Sequence, residues 1–99
     1  MKILAISRDL PGARDADFKP HLRAEAAHAY GLYQSGVLRE IYFEQNGSSA
    51  VIILECASAE EGRAILSGLP LVRAGLIAFD VMALTPYTGF ARLFEKETP

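Results

Sequence analysis

One stretch of this chain spaces two imidazoles and a carboxylate so that they can move a proton between them. In "HLRAEAAHAYGLYQSG", residues 21–36, His21, Glu25, His28 and Leu32 fall within about 60° of one another on a helical wheel. A carboxylate one turn from an imidazole can orient the ring as an acid or a base, which makes Glu25 and His28 the first candidates for catalysis. The alternative is an exposed helix flank with an ordinary Glu–His contact, worth about 0.2–0.5 kcal/mol. Two histidines and a carboxylate are also a known ligand set. The spacing His-x3-Glu-x2-His nevertheless fits a single ion loosely, so no metal site is expected.

A second group lies in "VLREIYFEQ", where alternation sends Leu38, Glu40 and Tyr42 to one face and Arg39, Ile41 and Phe43 to the other. Arg39 carries a fork of donors suited to a carboxylate ligand. Glu40 and Tyr42 are candidates to line a ligand pocket on the face away from the helices. The competing reading makes Arg39 and Glu40 an edge-strand ion pair or a bridge between subunits. Arg8 and Asp9 end the first strand, where loop residues can border sites but are more often simply solvated, and Asp80 interrupts the apolar "AFDVM". Asp80 is expected either at an interface or in a pair, with Arg73 or Arg39 as partner. The last candidates are Tyr87 and Phe90 in "PYTGFARLF", residues 86–94, with Gly89 between them to let the backbone turn. They either line a pocket completed by a partner subunit or pack as plain interface.

The elements that must hold these groups are legible in order. "MKILAISR" reads as a strand, and Pro11 and Gly12 mark a turn in the connector that follows. The first helix tolerates Pro20 only in its first turn, and Gly36 is a natural stop. Leu22, Ala26, Ala29 and Tyr33 form the face expected to pack on the sheet, joined by Phe18 if the helix begins before Pro20. "NGSS" marks a hairpin between the second strand and "AVIILEC", which is apolar on nearly every residue, as a central strand should be. Ser58 and Glu61 have the spacing of a capping box at the start of a second helix, ended by Gly68 and Pro70. "LIAFDVMAL" is the fourth strand. Strand, helix, strand, strand, helix, strand predicts a ferredoxin-like α+β sandwich, βαββαβ, with both helices on one face of an antiparallel sheet. The strands are apolar on both faces, so the uncovered face predicts sheet-to-sheet pairing with a second copy, with the 86–99 tail lapping onto the partner.

Composition narrows the function. The 99 residues suit one domain spanning 1–99, and a formal net charge of −2 with scattered basic residues gives no footprint for nucleic acid. No apolar run approaches the roughly 18 residues of a membrane span and no signal-peptide pattern opens the chain, which predicts a cytoplasmic protein. The single Cys56 rules out an internal disulfide and a zinc cage built on several thiolates. It is expected to be a buried, inert thiol.

"ILSGLPL", residues 65–71, resembles the end of the second helix in muconolactone isomerases, and Glu25, Gly36, Arg39 and the strand "FDVMAL" fit the same pattern. The resemblance implies a dimeric α+β barrel in which two ferredoxin-like units pair their sheets. His28 stands where those enzymes carry a Tyr, and the "PYTGFARLF" end differs from their polar tail. The implied function is a cofactor-independent isomerase acting on a small oxygenated or lactone-like metabolite. Glu25 and His28 would handle protons, Arg39 would hold an anionic group and Tyr42 would line the pocket. Two other readings stay open: a non-catalytic small-ligand-binding or oligomerisation module, and a cofactor-free monooxygenase.

Overall fold

The computed structural model describes residues 1–47 and 49–96, so Ser48 of the expected turn and the last three residues of the expected tail lie outside it. Strand β1 (Lys2–Asp9) is followed by a short helix α1 (Asp15–Phe18), a 3₁₀ turn (Lys19–His21) and helix α2 (Leu22–Gln34). Strands β2 (Leu38–Phe43) and β3 (Ala50–Glu55) come next, then α3 (Ala59–Leu66), α4 (Pro70–Arg73) and β4 (Ile77–Leu84). A final 3₁₀ stretch covers Gly89–Phe94. The sheet is antiparallel throughout, in the order β2-β3-β1-β4. That order and the helix placement are the ferredoxin-like sandwich.

The alternation of β1 sends Ile3, Ala5 and Ser7 inward, all buried. They join Leu38, Ile52, Leu54, Leu66 and Leu69 in the core under the helices. Lys2, Ile6 and Arg8 on the same strand stay exposed, so the opposite face of the sheet is uncovered. α3 packs tightly on β1 at Gly62, where a Cβ would stand only 3.1 Å from Ile3 Cγ2. Its start is capped as expected, with the Glu61 N–H donating to Ser58 Oγ at 3.0 Å. The Glu61 carboxylate reaches past the cap residue and accepts the Ala57 N–H at 2.9 Å.

Three local expectations are corrected. In β2, Leu38 pairs with Leu54 but Glu40 pairs with the adjacent Ile53, so Arg39 is the extra residue of a β-bulge. The bulge moves Leu38 to the inner face with Ile41 and Phe43, and strict alternation fails there. The β2–β3 hairpin closes through Glu44 N–H to Ser49 C=O at 2.9 Å. Among the described residues only Gly12, Gly36 and Gly75 have positive φ, so Asn46-Gly47 does not form the two-residue turn its sequence favours. Thirdly, the helical run begins at Asp15, and Pro20 sits in the 3₁₀ turn joining α1 to α2, where its missing N–H matters little.

Candidate functional site

Helix α2 covers the sheet without sealing it. None of its residues is fully buried, and its inward positions include the small side chains of Ala26 and Ala29. A cavity of about 380 Å³ opens between α2 and the inner sheet face, in the size range of small-ligand sites. Phe18, Leu22, Ile41, Phe43 and Phe79 give it apolar walls. Its polar groups are few: Glu25, Ser7, Asp9 and Asp15.

Glu25 is fixed by the backbone. The Leu71 N–H donates to Glu25 Oε1 at 2.9 Å, in a half-buried contact between α2 and the first turn of α4. Pro70 begins that turn, following Leu69 in extended conformation, and this aims the Leu71 N–H at α2. Glu25 and "LSGLPL" are thus one structural unit, although 46 positions separate the hydrogen-bonded pair.

Ser7 is the polar residue that sequence reading missed. It is 4% exposed, and its Oγ accepts the Ala50 N–H at 2.7 Å. Its position was available as the one hydroxyl in the inward series Ile3, Ala5, Ser7 of β1. Asp9, the next inward position of that strand, is exposed and borders the cavity.

The other candidates lie elsewhere. α2 is turned so that Glu25, Ala29 and Leu32 look inward with Leu22, while Tyr33 is 58% exposed and stacks on Tyr30 at 6.4 Å between ring centroids. The smaller side chains fill the gap and leave the two tyrosines outside. His28 is exposed and sits over Gly68, where a Cβ would be 3.4 Å from its Cε1. It does not line the cavity that Glu25 lines. Arg39, displaced by the bulge, is exposed and also absent from the lining.

Glu40 and Tyr42 occupy the outer face, as alternation predicted for that pair, and the Tyr42 hydroxyl donates to Glu40 Oε1 at 2.8 Å. This bond, and then the negative charge of Glu40, holds the Tyr42 hydroxyl pKa above the usual tyrosine range. Asp80 pairs across the same face with Arg8, Nε to Oδ2 at 3.6 Å, and not with Arg73 or Arg39. Both partners are more than half exposed, so the pair contributes little to stability. Among the described residues no three His, Cys, Asp or Glu side chains converge into a metal-binding group. Cys56 is half-buried beside the core and its thiol donates to Ser58 C=O at 3.5 Å.

In the tail, Tyr87 and Phe90 pack edge to face at 5.0 Å. Gly89 provides space and not a special turn: its φ is not positive, and a Cβ there would overlap the Tyr87 ring.

Solved structures share this fold. Muconolactone isomerase superposes with a TM-score of 0.72 at 19% identity, over 89% of this chain and 92% of that one. The chain has the fold of muconolactone isomerase. The 5-chloro-2-hydroxyhydroquinone dehydrochlorinase of Burkholderia phenoliruptrix, solved with 2,5-dihydroxybenzoquinone, matches with a TM-score of 0.65 at 19% identity, over 90% of this chain and 98% of that one. Both neighbours are enzymes, one an isomerase and one a dehydrochlorinase. No protein-family model and no curated protein matches the sequence. Among the described residues no helix is long and apolar enough to cross a membrane.

Proposed function

We propose that this protein is a cofactor-independent enzyme that moves a proton on a small, planar, oxygenated ring, lactone-like or quinone-like, held in the cavity beneath α2. One observation carries the reading: the Glu25 carboxylate is anchored by the Leu71 N–H on the wall of a largely apolar cavity of about 380 Å³. Apolar walls suit the faces of a ring, and fixed polar groups orient its oxygens. The neighbours' substrates, a muconolactone and a chlorinated hydroxyhydroquinone by their names, are of this class.

The chemistry needs no further reagent. Glu25 takes a proton from ring carbon activated by a carbonyl, and the electron pair moves to the carbonyl oxygen. The protonated Glu25 returns the proton at a second carbon as the electrons move back, so the double bond shifts and the composition is unchanged. Ser7 accepts a backbone N–H with its oxygen. Its own hydroxyl hydrogen is left to steady the developing oxyanion. Proton transfer rests on Glu25 and not on a Glu25–His28 pair, because His28 lies outside the cavity. Arg39 and Tyr42 retain a part in this reading only through a second copy, whose outer sheet face would meet theirs. Exposed Ile6, Tyr42 and Met82 on that face support such pairing.

The test is exchange of substrate hydrogen for solvent deuterium, followed across a panel of unsaturated lactones and hydroxyquinones. Exchange should occur with the wild-type protein, fall about a hundredfold or more in Glu25→Gln, and persist in His28→Ala. Undiminished exchange in Glu25→Gln would overturn the mechanism. The reading as a binding or assembly module is favoured by one other observation, the exposed aromatic tail, and predicts tight binding from the same panel with no exchange.

A further inference from the structure

Helix α2 presents two side chains, one turn apart, to the link between α3 and α4. Glu25 accepts the Leu71 N–H at 2.9 Å. His28 lays its ring against Gly68, where a Cβ would stand 3.4 Å from Cε1 and 3.5 Å from Nε2. Residues three apart are neighbours on a helix surface. The two contacts therefore lie side by side on α2 and meet the two ends of segment 68–71.

The sequence reads Gly68 as a helix stop, yet its φ is not positive, so the backbone there does not require glycine. What glycine provides is room. A Cβ would stand 3.4 Å from the Ile65 carbonyl oxygen as well as against the imidazole. Gly68 is half-buried and His28 is exposed, so the ring sits on the glycine as a cover.

Segment 68–71 depends on such contacts. Pro70 has no N–H to give, and α4 is only four residues long, too short to hold itself as a helix. Buried Leu69 and Leu71 fix it to the core by their side chains. On the α2 side it meets the Glu25 carboxylate and the His28 ring. The orientation of Glu25 follows from where this segment lies. Its Oε1 is held by Leu71, which leaves Oε2 to meet a ligand in the cavity. A misplacement of about 1 Å in a reacting group can cost about a hundredfold in rate.

We propose that His28 is a positioning residue for Glu25: its ring, seated on Gly68, holds segment 68–71 so that the Leu71 N–H keeps the Glu25 carboxylate aimed into the cavity. The contact is with the chain at a glycine, so it requires a flat ring at position 28 and not a titrating one. The inference rests on the reading of Glu25 as the base, but the contact itself is measured on the Leu71 amide without substrate.

Amide NMR and hydrogen exchange of the isotope-labelled protein test it. Glu25→Gln first marks the direction in which the Leu71 amide proton moves when its charged acceptor is lost. His28→Ala should move that proton the same way and lower Leu71 protection about five- to tenfold, while the amides of Ile3 and Ala5 in β1 keep theirs. His28→Phe should restore both readouts. Gly68→Ala should also lower Leu71 protection, and the two alanine substitutions together should cost less than their sum. On a substrate that the deuterium-exchange panel supplies, His28→Ala should lower kcat and leave KM about unchanged. A Leu71 amide unmoved in His28→Ala overturns the proposal. So does an equal loss of protection at Leu71, Ile3 and Ala5, which marks a general loss of stability, and so does failure of His28→Phe to restore. Each of these leaves the deuterium-exchange reading of Glu25 standing, and failed deuterium exchange leaves the Leu71 result standing.

Discussion

The Glu25 carboxylate accepts the Leu71 N–H at 2.9 Å and so ties the helix over the cavity to the turn that follows α3. This contact positions the only acid on α2 that faces the cavity, and it satisfies a half-buried donor in the first turn of α4. The two tasks respond differently to substitution.

Glu25→Ala leaves the Leu71 N–H without its acceptor and should cost about 1–3 kcal/mol of stability. Glu25→Gln keeps an acceptor oxygen and should cost less than about 1 kcal/mol while abolishing the base. Urea denaturation of both variants, alongside the exchange assay, separates the roles. Equal stability of Glu25→Ala and wild type would remove the hydrogen bond from the account.

Gly36→Ala should destabilise the protein by about 1–2 kcal/mol through backbone strain alone. Gly36 has φ of +84° at the end of α2, and nothing lies within 4 Å of where a Cβ would stand. Thermal unfolding measures the cost, and Gly36→Asn should recover part of it because Asn tolerates this conformation.

Ser58→Ala removes the acceptor of the Glu61 N–H at the start of α3 and should cost about 1 kcal/mol. Ser58→Asp should restore most of that. Chemical denaturation of the three proteins checks the order.

Tyr42 should be a late-titrating tyrosine. Its hydroxyl donates to Glu40, and the charge of Glu40 opposes a phenolate beside it. The folded-state pKa lies above the unfolded one, so the contact's stabilisation is present below the ordinary tyrosine pKa of about 10 and is lost as pH rises through the raised value. Ultraviolet titration of wild type minus Tyr42→Phe should show a component displaced upward, and Glu40→Gln should return it toward the ordinary value. A Tyr42 component titrating at the ordinary value in the wild type would contradict the bond.

The fold was legible because its signals are local and repeated. Apolar strands, Pro20, the Gly36 stop and the Ser58 cap each dictate a neighbourhood of a few residues, and together they allow few topologies. The site was legible only in part. Helical spacing singled out Glu25 as a candidate, but its hydrogen-bond partner Leu71 is 46 positions away and contributes a backbone N–H that no residue type announces. The wheel also placed His28 with Glu25, whereas the rotation of α2 is set by how Ala26, Ala29 and Leu32 meet the sheet. Periodicity fixes relative angles along a helix and leaves its absolute rotation to packing. Arg39 was misplaced for a related reason: a bulge adds one residue to β2, and nothing in "VLREIYF" marks where. Ser7 was passed over because a serine in a strand carries no spacing signal until β1 and β3 are paired.

The central claim is that the cavity under α2 receives a small ring. The most direct measurement is the amide NMR spectrum of the isotope-labelled protein titrated with planar hydroxylated quinones and lactones, 2,5-dihydroxybenzoquinone first. The account predicts shifts clustered at Ser7, Ala26, Ala29, Ile41 and Leu71, and their loss when Ala29→Phe fills the space. Shifts clustered instead on the outer face, at Ile6, Glu40, Tyr42 and Met82, and unaffected by Ala29→Phe, would contradict it.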